Sequence, residues 1–310
     1  MKRILSAILV LIVILSCSVT AMAAEVGEPD STVDTESDLY KKKVLFVGDS
    51  ICEARNEWGK SVVGWAGRIM EWNAMGGLNK GNSGASVSNC RGENTVINQL
   101  KAITGKNSYD YVIMHGGVND AWDEAPVGVM TNGFDEAFDT TTFAGGLEAT
   151  FKYAKENFKK AHFGFIINFS LPSAKYGKLS DMSEYFTVAK QICEKWEISY
   201  LDLYFDDNFN NNIMQTKSMK YLGDFIHPNP AGYDVISPYI NDWMKTIKAE
   251  SEKQESSEAA EQTTAEQSEA VSSPESSEKG DKAEMIIYIV CGIIILAAVA
   301  YIVVALKKKK

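Results

Sequence analysis

The chain has 310 residues, 45% of them hydrophobic, and a formal net charge of -10. The charge sits at the ends: residues 24–40 carry six acids and no Lys or Arg, residues 250–284 carry eleven acids against three lysines, and residues 1–3 and 307–310 carry six basic residues, which leaves residues 41–249 at -2. A folded region that close to neutral implies neither a nucleic-acid groove nor a strongly charged substrate.

Met1-Lys2-Arg3 is a short basic start, Ile4 to Leu15 is almost wholly apolar, and Ala21-Met22-Ala23 fits a small-x-small cleavage site. Residues 1–23 therefore have the pattern of a secretory signal peptide. Residues 24–40 are acidic and poor in large apolar side chains, as expected of a disordered linker. Residues 41–249 form the single globular domain, long enough for a full core.

Within it, strand-like and helix-like runs alternate. Val44–Val47 predicts a first strand, Val62–Trp72 a helix, and Met75–Leu78 a short second strand. Thr95–Ile103 predicts a helix and Tyr109–Met114 a third strand. Phe143–Phe158 predicts a helix, Ala161–Phe169 a buried strand and Ser183–Trp196 a helix. Ser199–Leu203 is a last strand and Ala231–Ile247 a closing helix. Such alternation implies right-handed crossovers and a parallel sheet covered on both faces, with ligands bound at the C-terminal strand edge.

Beyond the domain, residues 250–284 are rich in Ser and Glu and predict a second disordered linker. Residues 285–306 carry no charge and are long enough, at about 1.5 Å per residue, to span a bilayer as one transmembrane helix. Lys307 to Lys310 follow and predict a cytoplasmic tail, with the rest of the mature chain outside. The expected location is thus a bacterial cell membrane crossed once, with the domain extracellular.

Four stretches fall at the predicted strand edge: Gly48-Asp49-Ser50, Asn79 to Gly84, Gly116 to Asp120, and Asp224 to Asn229. Acyl transfer needs a hydroxyl nucleophile, a base, a group to orient the base, and donors for an oxyanion. Ser50 can be the nucleophile and His227 the base, with Asp224 three residues upstream holding its tautomer. The N–H groups of Ser50 and Gly84 and the Asn119 amide can serve as oxyanion donors.

In these four blocks and their order the sequence resembles the SGNH (GDSL) hydrolases, from residue 43 to about 247. The resemblance implies a flavodoxin-like three-layer α/β/α sandwich with a small parallel sheet. It implies Ser50, Asp224 and His227 as the catalytic triad, and Gly84 and Asn119 beside Ser50 in the oxyanion hole. It implies no cofactor and no metal. Ile51 replaces the family's usual leucine after the serine.

Other polar groups have structural readings. Asp49 is expected to brace its turn and Asp120 its own loop. His115 is expected to support rather than react, and His162 to lie at the surface. Gly81 and Gly117 are expected to be turn glycines. Trp122, Tyr176 and Trp58 either line an acyl or sugar pocket or pack beneath loops. Residues 123–142 read as a rim or lid over the site, or as a surface loop. Cys52 and Cys90 fit either a disulfide or two buried thiols.

The function expected is that of a membrane-tethered serine esterase hydrolysing small acyl esters, above all O-acetyl groups on a carbohydrate or cell-wall glycan. Its partners are an acylated small molecule or polysaccharide and, through the C-terminal helix, the membrane. A lipid esterase, lysophospholipase or thioesterase, a sugar O-acetyltransferase, and an inactive glycan-binding module are the alternatives.

Overall fold

The computed structural model describes residues 33–55, 59–172, 179 and 181–247. The signal sequence, the acidic stretch 250–284 and the apolar segment 285–306 lie outside these residues, as do Trp58 and Tyr176. Among the described residues no helix is long and apolar enough to cross a membrane.

Five parallel strands form one sheet: β1 (Lys43–Val47), β2 (Gly76–Asn79), β3 (Tyr111–His115), β4 (His162–Ile167) and β5 (Ser199–Asp202), in the order β2-β1-β3-β4-β5. That order reverses direction between β1 and β3, where an open α/β sheet leaves a crevice at its C-terminal edge. The register sets the crevice level: Phe46 pairs with Asn79 on one side and Ile113 on the other, and Val47 pairs with Met114. The chain leaving β1 and the chain leaving β3 therefore emerge side by side.

The helices are α1 (Ser50–Glu53), α2 (Trp65–Trp72), α3 (Val96–Lys101), α4 (Val118–Trp122), α5 (Phe143–Asn157), α6 (Ser183–Lys195) and α7 (Pro230–Met244). Helices α2 and α7 pack together, and α5 packs with α3 and α6. The central strands are buried along nearly their whole length, as parallel strands covered on both faces must be. Phe46 meets Trp65 of α2 edge-on at 5.1 Å, and Phe165 meets Phe151 of α5 at 5.7 Å.

Helix starts follow local capping chemistry. Thr95, Thr142 and Asn229 each accept a backbone N–H from the first turn, and Pro230 follows Asn229 at a position where no N–H is needed. The elements match the expected ones within a few residues, with α2 beginning only at Trp65. The one-turn helices α1 and α4, and the π-turn at Phe209–Ile213, were not expected. They are too short to show hydrophobic periodicity.

Two boundaries change. The folded unit begins before residue 41, because Leu39 is fully buried and the Asp34 N–H donates to Trp72 O at 2.7 Å. One leucine and a few backbone bonds suffice to dock a segment whose composition reads as linker. Asp123 meets Arg91 at the crevice wall, but residues 124–142 do not line the crevice. They lie along α5 and α6, where Thr131 N–H donates to Glu148 (2.9 Å), Lys195 donates to Gly133 O (2.6 Å), and Phe134 meets Trp196 edge-on. Buried Glu148 draws the segment there, since its carboxylate needs those donors.

Candidate active site

Ser50 is the first residue of α1, directly after β1. Asp49 caps this turn, its Oδ1 accepting from Ile51 N–H at 2.9 Å. The Ser50 hydroxyl is thereby held at the C-terminal strand edge. His227 comes from the other end of the chain, in the loop before α7. Its Nε2 lies 2.8 Å from Ser50 Oγ, and its Nδ1 lies 2.8 Å from Asp224 Oδ2.

The Asp224–His227 turn is built for that contact. Asp224 Oδ1 accepts the backbone N–H groups of His227 (2.8 Å) and Ile226 (3.1 Å), so one carboxylate holds both the main chain and the ring. Phe225 takes a left-handed φ of +78° to close the turn. Burial raises the Asp224 pKa, but the hydrogen bonds and charge of His227 outweigh it and leave the carboxyl below its ordinary value.

The loop after β2 forms one wall. Gly84 adopts φ +77°, a conformation that favours glycine, and lines the crevice. Gly81 is needed for a different reason from the turn role expected of it. Its φ is not positive, but a Cβ there would sit 2.5 Å from Glu53 N. Asn119, on α4, also lines the crevice, and its Nδ2 donates to Ala85 O at 2.9 Å. An amide carries two N–H donors, so one remains for a ligand. The crevice holds about 560 Å³ and is bounded by Ser50, His227, Arg55, Arg91, Trp122 and Ile226 among others.

A hydroxyl, an imidazole and a carboxylate in line, facing a glycine loop and an amide, is an arrangement able to carry out acyl transfer. The sequence model of the GDSL-like lipase/acylhydrolase family matches residues 46–235. The chain belongs to that family. It is an ester-hydrolysing enzyme. No curated protein matches the chain. Among solved structures, a Lactobacillus plantarum protein is 22% identical, covering 67% of this chain and 98% of its own, with a TM-score of 0.57. A protein described as a lipase from Chitinophaga pinensis is 16% identical, covering 65% and 96%, with a TM-score of 0.52. A protein described as a GDSL-like lipase from Bacteroides ovatus is 17% identical, covering 66% and 99%, with a TM-score of 0.50. At such identities the likeness is one of fold.

This GDSL-like hydrolase places the other expected residues as follows. Trp122 lines the crevice while also packing against the core. Asp120 is buried and braces the neighbouring loop rather than its own, accepting Val87 N–H and Ser88 N–H at 2.8 Å each. Burial raises its pKa against the pull of those donors. His115 is buried between Asp49 and Asn168, and half-buried His162 stacks on Tyr111. Cys52 and Cys90 are free thiols, one buried and one exposed.

Several supporting residues of the hydrolase were not foreseen. Gln99 on α3 bonds Gly48 reciprocally, donating to its O and accepting its N–H at 2.8 Å each. Glu53 Oε2 accepts both N–H and O–H of Ser83, tying α1 to the glycine loop. Arg91 forks onto Asp123 and donates to Gly84 O. No local pattern marks these side chains, because each has a partner on another element, up to 51 residues away.

Proposed function

We propose that the enzyme hydrolyses small acyl esters, above all O-acetyl groups on a carbohydrate such as a cell-wall glycan. Ser50 Oγ attacks the acyl carbon while His227 Nε2 takes its proton. Asp224 keeps the Nδ1–H tautomer and stabilises the imidazolium. The oxyanion is received by the N–H groups of Ser50 and Gly84 and by the Asn119 amide. The tetrahedral species expels the alcohol, to which His227 returns the proton, leaving an acyl-Ser50 ester. Water then attacks that ester by the same route, with His227 again as base, and releases the acid.

The observation that carries this reading is the line Ser50 Oγ–His227 Nε2–Asp224, with both separations 2.8 Å, opening into the crevice. The crevice favours a short acyl group and a polar alcohol. Among the described residues its apolar side chains are Val118, Trp122 and Ile226, and the other lining residues are polar or glycine. A long acyl chain would need a longer apolar channel. Export and tethering through residues 285–306 complete the proposal, supported by the apolar run and the four lysines that end it.

The test is hydrolysis of p-nitrophenyl acetate, butyrate and octanoate by the full chain, with Ser50→Ala beside it. The expected result is the highest rate on acetate and loss of turnover in the variant. A rate rising towards octanoate would shift the substrate to lipids. Turnover that survives Ser50→Ala would remove Ser50 from the nucleophile role. Turnover of acetate only when a sugar acceptor is added would identify a transferase.

A further inference from the structure

Behind Ser50 lies a buried polar chain that the hydrolytic mechanism does not use. Asp49, His115 and Asn168 are each 1% exposed. His115 Nδ1 faces Asp49 Oδ1 at 3.1 Å, and His115 Nε2 faces Asn168 Oδ1 at 3.3 Å. The Asn168 amide is oriented by its own contact, since Nδ2 donates to Phe169 O at 3.0 Å. Its oxygen is therefore the atom turned to the ring.

Both ring nitrogens of His115 thus meet acceptors. A neutral imidazole has one donor and one acceptor, so it would set a lone pair against one of these oxygens in a site closed to water. Only the imidazolium satisfies both. Asp49 needs that charge as well. Its Oδ1 has the Ile51 N–H, but its buried Oδ2 has no hydrogen-bond partner. Burial alone would neutralise both groups, yet each raises the other's charged population: His115 is pushed up by Asp49, and Asp49 is pulled down by His115.

Asp49 is also adjacent to the nucleophile. It directly precedes Ser50, whose Oγ lies 2.8 Å from His227 Nε2, and its charge adds to burial in keeping the Cys52 thiol and the Tyr233 phenol on α7 neutral. An uncompensated carboxylate there would favour protonated His227 and withdraw the base.

We infer that His115 is a positioning residue held as a permanent imidazolium, which neutralises Asp49 beneath Ser50 and so shields the base His227 from that carboxylate while fixing the α1 turn. This rests on the triad reading above. It applies the field of a buried ion pair to a reaction occurring next to it.

Two measurements test it on the full chain. The protein has three histidines, so a ¹⁵N-imidazole spectrum is simple, and His115→Gln and His162→Asn assign it. His115 is expected to keep both ring N–H protons at pH 8. A neutral His115 at pH 7 would overturn the inference, and this readout does not depend on turnover. The second measurement is the pH profile of kcat/KM. In His115→Gln the acid limb should move upward by about half a pH unit or more, with turnover down about tenfold and KM nearly unchanged. In Asp49→Asn/His115→Gln the limb should return, because the charge to be shielded is gone. A folded His115→Gln with an unmoved limb would overturn the shielding role. Failure of the triad reading would show separately, as activity retained in Ser50→Ala.

Discussion

Asp224 holds His227 by three contacts, one to the ring and two through the backbone of its own turn. Replacing it with Asn can preserve the backbone contacts while turning an amide N–H towards Nδ1. That selects the tautomer whose Nε2–H points at Ser50, so the ring can no longer accept the hydroxyl proton. Asp224→Asn is expected to lower kcat by about 10³–10⁴ and to leave residual activity, with the melting temperature little changed. Steady-state kinetics beside a thermal melt would check both halves. Full activity would mean that Asp224 does not orient the base. These three residues could be recognised in the sequence because the Asp-x-x-His spacing is local and Gly-Asp-Ser ends a strand. His115 and Asn168 lie 53 residues apart and meet only because β3 and β4 pair, so neither spacing nor composition could join them.

At the scale of elements, the turn carrying Ser50 is secured by helices that belong to other segments. Gln99 reaches from α3 to saturate both backbone polar groups of Gly48. Removing its amide would leave the Gly48 N–H unpaired, at about 1–3 kcal/mol, while Gly48 O keeps the Asn82 N–H at 2.9 Å. Gln99→Leu is therefore expected to lower unfolding stability by about 1–3 kcal/mol and to reduce kcat, with the loss of stability read from urea denaturation. An unchanged midpoint would mean that the turn holds itself. The glycine loop is secured in the same manner, by Glu53 on Ser83 and by Asp120 on Val87 and Ser88. An aspartate after Gly-x-Asn reads from sequence as bracing its own loop. Its carboxylate instead serves a strand connection more than thirty residues earlier, because β1 lies between β2 and β3 and brings both loops to one edge.

Across the whole molecule, three carboxylates of the site region sit below their ordinary pKa despite burial: Asp224 and Asp49 through histidine contacts, and Glu53 through Arg55 and Ser83. A lowered carboxylate contributes stability that is fully present above its unfolded pKa and lost as pH falls through the folded one. From neutrality to about pH 5 the carboxylate contribution holds while His115, with its raised pKa, adds stability as pH falls below neutrality; below about pH 4 the carboxylate contribution declines. Denaturant unfolding at pH 7, 5 and 3.5 measures it, and a flat profile to pH 3.5 would deny these pairs a net role. The sequence alone determined the number and order of the main strands and helices, since apolar period and capping residues are local properties. It also determined the family, because the four blocks are contiguous words in one order. Only the tertiary structure decided that the fold takes in residue 39, that residues beyond Asp123 in the segment 123–142 pack along α5 and α6 without lining the crevice, and that Cys52 and Cys90 stay apart. Those outcomes depend on which buried groups find partners, and a partner far along the chain leaves no mark on the residues around it.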